Sequence, residues 1–173
     1  MILSTPLYSN TTLVASLVCM AGGGCIAWQR KFDADDWLAT VEAQKITNAM
    51  LVPVLIYRLL AHPDFDRRDL SSLRTTTVTS SPLAAATKQD MLRRWPGAVL
   101  EFYGLTEGGI GTTLDLMAHP DKAGSVGQPN AGGELHVVDD DGNILPQGET
   151  GEVVGRSPTV MKGYHGRDDL TEK

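Results

Sequence analysis

The segment Phe102-Tyr103-Gly104-Leu105-Thr106-Glu107-Gly108-Gly109 places an aromatic ring, a glycine, a hydroxyl and a carboxylate in close succession. The ring can stack on a nucleobase, and the glycine lets backbone approach a ligand. The hydroxyl can meet a phosphate, and the carboxylate can hold Mg²⁺. The string directly follows Ala98-Val99-Leu100-Glu101-Phe102, which predicts a buried strand. Open α/β sheets bind ligands in the crevice beyond the carboxyl ends of their strands, so the placement suits a nucleotide grip. Taken alone, the same residues also fit a strand end followed by a plain turn.

The elements around this segment read as alternating helices and strands. Ser9 or Asn10 can cap a helix through Leu13, Leu17 and Met20, stopped by Gly22-Gly23-Gly24. Cys25-Ile26-Ala27-Trp28 predicts a short buried strand. Asp33 is a candidate N-cap with Asp35 and Asp36 in the first turn, and Trp37, Leu38, Val41 and Ile46 form that helix's apolar stripe. Ala49 to Val52 reads as a strand, and Pro53 opens a helix through Ile56, Leu59 and Leu60. Thr75 to Thr79 is β-branched, Leu83 to Trp95 is helical, and Pro96-Gly97 breaks it.

This alternation predicts an α/β fold, a mostly parallel sheet with packed helices leading into a small antiparallel β unit. Glycines are dense from Gly109 to Gly133, which predicts a long, ordered loop region. Glu134 to Val138 and Thr150 to Gly155 then predict two pairing strands. The expected division is residues 1–132 for the α/β part and 133–173 for the start of the small β subdomain.

The chain has 173 residues, 42% hydrophobic and 21% charged, which suits a packed core. With 15 basic against 21 acidic residues, the net charge is -6. That balance argues against nucleic acid as a partner, because such binding needs a basic face. The apolar run Leu13 to Ala27 is interrupted by Gly22-Gly23-Gly24 and flanked by Pro6 and Asn10, so it reads as a buried element of a layered domain and not a membrane span. A soluble, cytoplasmic protein is expected. Cys19 and Cys25 have neither redox nor zinc-knuckle spacing and read as small buried thiols of a reducing compartment. The four histidines show no ligand spacing. The acidic run Asp139-Asp140-Asp141-Gly142 reads as a turn.

Tyr103-Gly104-Leu105-Thr106-Glu107 resembles the Y-G-x-T-E signature of the adenylate-forming (AMP-binding) superfamily, acyl-CoA synthetase type. Gly124-Ser125-Val126-Gly127-Gln128-Pro129 resembles that family's G-S-V-G-x-P loop. Thr5-Pro6-Leu7-Tyr8-Ser9-Asn10 resembles its P-L-Y/F-H-x-N segment. Gly151-Glu152-Val153 through Gly155, Met161-Lys162-Gly163-Tyr164 and Leu170-Thr171-Glu172 resemble its late G-E…M-x-G-Y…T-E block. The four blocks come in family order across nearly the whole chain.

The resemblance implies an ATP-dependent ligase that converts a carboxylic acid, fatty or aryl, to an acyl-adenylate and passes it to coenzyme A. ATP, Mg²⁺ and coenzyme A are the implied cofactors and co-substrates, and a homodimer stays open. Tyr103 is expected to stack on adenine beside Gly104, with Ser80, Ser81 and Pro82 contributing further contacts. Thr106 would meet the α-phosphate and Glu107 would ligate Mg²⁺; these two are the expected catalytic residues. Ser9, Gly108, Gly109, Ile110, Gly124, Val126 and Gly127 would border the acyl pocket.

Two positions depart from the family pattern. Thr79-Ser80-Ser81 stands where a Gly-Gly-Ala-type turn is usual, and Ser9 stands where many members carry histidine. The chain also holds no glycine-rich phosphate loop ending in Pro-Lys, no T-G-D block and no C-terminal domain with its lysine. These omissions predict an internal part of the large N-terminal domain, inactive by itself. The alternatives are an adenylation domain that loads a carrier-protein thiol and a truncated, non-catalytic nucleotide-binding remnant.

Overall fold

The computed structural model describes residues 1–171; Glu172, the end of the last resembling block, lies outside the described residues. Two compact units make up the chain: residues Met1–Phe102 with Leu114–Gly127, and Tyr103–Thr113 with the chain from Gln128 onward.

The first unit holds β1 (Ile2–Leu3), α1 (Asn10–Ala21), β2 (Ala27–Trp28), α2 (Ala34–Gln44), β3 (Asn48–Leu51), α3 (Pro53–Leu60), β4 (Thr75–Val78), α4 (Ala85–Arg94) and most of β5 (Ala98–Gly104). The sheet order is β2-β1-β3-β4-β5, continued by β6 (Gly111–Asp115) and β7 (Gln128–Pro129). The pairs from β2 to β5 are parallel, with Met50 opposite Thr77 and Thr77 opposite Leu100; β6 and β7 pair antiparallel. The mostly parallel α/β sheet expected from the alternation is present.

Local signals explain the helices. Asp33 caps α2 by accepting from the Asp36 backbone N–H at 3.0 Å, and Pro53 opens α3 where its missing N–H is harmless. The core packs Trp37, Leu38, Val41, Ile56 and Leu59 against Val78, Val99 and Leu114. Trp95 sits between Trp37 and Phe65, with centroids 6.2 and 5.4 Å away, and its indole donates to the Thr76 hydroxyl at 2.9 Å.

Three expectations need correction. The run from Leu13 to Ala27 is not buried: Leu13, Leu17 and Met20 are exposed, while Thr12 and Ser16 face inward. Ser16 donates to the Thr12 carbonyl at 2.7 Å, and the Thr12 and Thr5 hydroxyls share a hydrogen bond at 2.5 Å, so the buried polar atoms are satisfied. A helix that is apolar on nearly every side does not announce which side is inward. The cysteines are likewise not buried, with Cys19 half-exposed and Cys25 exposed. Regular structure also appears where a loop was expected, because Gly111–Asp115 is a strand with Thr112 and Leu114 buried.

The second unit carries β8 (Glu134–Val138) and β9 (Glu152–Arg156), antiparallel, with His136 opposite Val154. The acidic run is a turn as expected. The Asp139 carboxylate accepts from the Asp141 and Asn143 backbone N–H groups at 3.0 and 2.8 Å. Among the described residues, no helix is long and apolar enough to cross a membrane.

Candidate functional site

In the second unit, the strand β5 ends in Tyr103 and Gly104 and the chain turns at once. A side chain at Gly104 would lie 2.8 Å from the Ile110 carbonyl oxygen, so the returning backbone needs glycine there. The turn is closed by Gly108 N–H donating to the Leu105 carbonyl at 3.1 Å and Ile110 N–H donating to Gly108 at 2.9 Å. Gly108 and Gly109 hold φ of +79° and +76°, values that L side chains resist.

Glu107, at the crest of this turn, is held at two points by a segment more than fifty residues later. Met161 N–H donates to the Glu107 carbonyl at 2.8 Å, and the Tyr164 hydroxyl donates to Glu107 Oε1 at 2.8 Å. The Tyr164 hydroxyl, with Glu107's own backbone N–H, holds the carboxyl below the usual carboxylate range. The same bond pushes the Tyr164 phenol up. Tyr164 is anchored in turn by its backbone N–H on the Thr171 hydroxyl at 3.0 Å. The Y-G-x-T-E and M-x-G-Y blocks therefore meet around one carboxylate. Tyr164 had no role in the sequence reading; its only signal was membership of the M-x-G-Y block.

Tyr103 is 41% exposed. Among the described residues, the Thr106 hydroxyl takes no protein hydrogen bond and is free to meet an anion. Glu107 Oε2 is left unused by Tyr164. Among the described residues, no three His, Cys, Asp or Glu side chains cluster to hold a metal. One carboxylate with a spare oxygen suits Mg²⁺, which is commonly held by one or two carboxylates plus substrate phosphates. The donor set fits that ion.

The first unit places the other candidates. Ser9 caps α1 without a side-chain bond. Ser80, Ser81 and Pro82 form an exposed turn after β4. The loops after β1 and β4 both lie at the carboxyl end of the parallel sheet, and Thr11 and Ser80 hydroxyls lie 3.4 Å apart. Ser80 holds φ +79° without being glycine. Gly124, Val126 and Gly127 form a separate loop, with Gly127 at φ +87°. Ser9 and the Ser80–Pro82 turn are thus brought near one another through Thr11, and Glu107 is joined to Tyr164. The two sets belong to different units.

A sequence model of the family described as AMP-binding enzyme matches residues 1–165. The chain belongs to this family. Among relatives of this AMP-binding protein, a feruloyl-CoA synthase from Amycolatopsis sp is 33% identical over 98% of the chain and 35% of its own length. A medium/long-chain-fatty-acid–CoA ligase, FadD8, from Mycobacterium tuberculosis is 34% identical over 87% of the chain and 27% of its own length. The amide bond synthetase McbA from Marinactinospora thermotolerans has a similar structure, with TM-score 0.88 and 30% identity over 99% of the chain and 35% of that protein. The AMP-binding chain thus spans about a third of the length of the curated relatives it matches.

Proposed function

We propose that the protein acts in an acid–thiol ligase that activates a carboxylic acid with ATP and transfers the acyl group to coenzyme A. The observation that supports this most is Glu107, held at its carboxylate by Tyr164 and at its backbone carbonyl by Met161, beside the free Thr106 hydroxyl, in a chain similar to acid–CoA ligases. A carboxylate is a poor acyl donor because its leaving group would be an oxide. Its oxygen attacks the α-phosphorus of ATP, the bond to the bridging oxygen breaks, and pyrophosphate leaves. The thiol then attacks the acyl carbon and AMP departs. Mg²⁺ supplies neutralisation of the phosphate charge in the first step.

In this reading the Tyr103 ring stacks on adenine, and Gly104 leaves the room. Thr106 donates its hydroxyl hydrogen to the α-phosphate and orients it. Glu107, kept ionised by Tyr164, presents Oε2 to the metal. Ser80, Ser81 and Pro82 contribute contacts to the base. Ser9, Gly108, Gly109, Ile110, Gly124, Val126 and Gly127 border the acid. Residues 1–132 are read as the α/β part and residues from 133 as the start of a small β subdomain. Such a ligase works where ATP and coenzyme A are found, in the cytoplasm. In this reading the 173-residue chain alone forms no acyl-adenylate, since the transferring phosphoryl charge needs more donors than Thr106 and one metal-holding carboxylate.

The test is acid-dependent exchange of labelled pyrophosphate into ATP by the whole protein, over hydroxycinnamic and fatty acids. Exchange with one class and a fall of at least tenfold in Glu107→Gln are expected, because the amide keeps the shape and removes the charge. Exchange in Glu107→Gln within a few-fold of wild type refutes the metal role. The similarity to an amide bond synthetase supports a second acceptor class. Coenzyme A and simple amines are therefore compared as acceptors, and amide formation without thioester would favour that second reading.

A further inference from the structure

A charged pair lies in the interior of the first unit. Lys88, in the first turn of α4, leaves 3% of its side chain exposed, and Glu101 on β5 leaves 6%; they face each other as an ion pair. The Lys88 ammonium also donates to the backbone carbonyl of Ser125 at 2.7 Å. One buried cation therefore joins three segments: the helix after the Ser80–Pro82 turn, the strand that runs on into Tyr103, and the Gly124–Gly127 loop.

An apolar pair of similar size would hold α4 against β5 at least as well, because taking two charges out of water offsets much of their attraction. What an apolar pair lacks is a donor for one carbonyl of a loop. A side chain at Gly124 would meet nothing within 4 Å, so no contact fixes the backbone at that position. Beside the Lys88 tether, Ser125 N–H donates to the Lys122 carbonyl at 2.8 Å, and Gly127 N–H donates to the Ser125 hydroxyl at 3.3 Å.

We propose that Lys88 and Glu101 are positioning residues: a buried clamp that sets where the Gly124–Gly127 loop lies, and with it the space left for the carboxylic acid. The second half of this statement rests on the reading of that loop as a border of the acyl pocket. Glu101 compensates the Lys88 charge, and Lys88 tethers the loop.

Deuterium uptake at residues 124–127 of the whole protein tests the clamp in three variants. Lys88→Met leaves Glu101 buried without a partner, so melting temperature falls and loop exchange rises at least tenfold. Lys88→Met/Glu101→Met removes the stranded charge; melting temperature recovers, while loop exchange stays at least tenfold fast. Glu101→Gln retains an acceptor for Lys88 and the Ser125 tether, so loop exchange stays near wild type. Wild-type loop exchange in the double variant, or loosening in Glu101→Gln as large as in Lys88→Met, overturns the clamp.

In the double variant the KM for the acid is expected to rise several-fold with the ATP KM unchanged. Fast loop exchange with an unchanged acid KM overturns the substrate half of the proposal. A wild-type protein that exchanges pyrophosphate with no acid overturns the ligase reading instead, and loop exchange still decides the clamp.

Discussion

Gly108 and Gly132 make a matched pair for measuring how tightly the Glu107 turn is held. Both belong to the second unit and both sit at φ +79°. A methyl group at Gly132 would meet nothing within 4 Å, whereas one at Gly108 would lie 2.2 Å from the Thr159 carbonyl oxygen and 2.9 Å from Val160 Cα. Gly132→Ala therefore meets only the left-handed penalty of about 1–2 kcal/mol. Gly108→Ala meets the same penalty and a backbone collision besides. Ordinary contact begins near 3.4 Å, so the 159–160 backbone must retreat by about 1.2 Å. A shift of that size breaks the Met161-to-Glu107 backbone bond, now 2.8 Å, adding about 0.5–1.5 kcal/mol. The expected loss is about 1.5–3.5 kcal/mol for Gly108→Ala and about 1–2 kcal/mol for Gly132→Ala. Urea unfolding monitored by amide exchange within β8 and β9 gives the comparison, with the shared unit as common reference. Pyrophosphate exchange should fall at least tenfold in Gly108→Ala, because Tyr164 moves with the displaced segment, and stay near wild type in Gly132→Ala. Equal destabilisation of the two variants would refute the reasoning.

Ser80 holds a left-handed backbone that glycine adopts freely. Ser80→Gly should relieve about 1–2 kcal/mol of strain and lose about 0.5–1 kcal/mol to the freer unfolded chain, a net gain of up to about 1.5 kcal/mol. A lower melting temperature would show that the Ser80 hydroxyl, 3.4 Å from that of Thr11, matters more than the strain. For Tyr164→Phe the prediction is a pH shift. Because the folded Glu107 carboxyl is held low, its contribution is present above the ordinary carboxylate range and is lost as pH falls through the lowered value. Without the hydroxyl, the Glu107 midpoint followed by carboxyl ¹³C NMR should move up toward the ordinary value; an unchanged midpoint contradicts the bond.

What the residues determined by themselves was whatever rests on local chemistry. Asp33 and Pro53 mark helix starts because a cap and a ring without N–H act within one turn. Pro96 and Gly97 end a helix for the same local reason, and the alternation of periods by itself implies a parallel sheet. The Y-G-x-T-E residues were legible because the chemistry lies within a few consecutive positions. Tertiary structure decided what depends on partners far along the chain. No local rule places Tyr164 on Glu107, since the two meet only when β8 and β9 have paired and the following chain has returned. Sequence periodicity points Leu13 and Leu17 inward; folding turns Thr12 and Ser16 inward instead, where Thr12 meets the Thr5 hydroxyl and Ser16 bonds back to a carbonyl of its own helix. Nothing local in the sequence marks Lys88 as buried. Only the packing of α4 on β5 takes it out of water, and only burial makes its choice of partners, Glu101 and the Ser125 carbonyl, unavoidable.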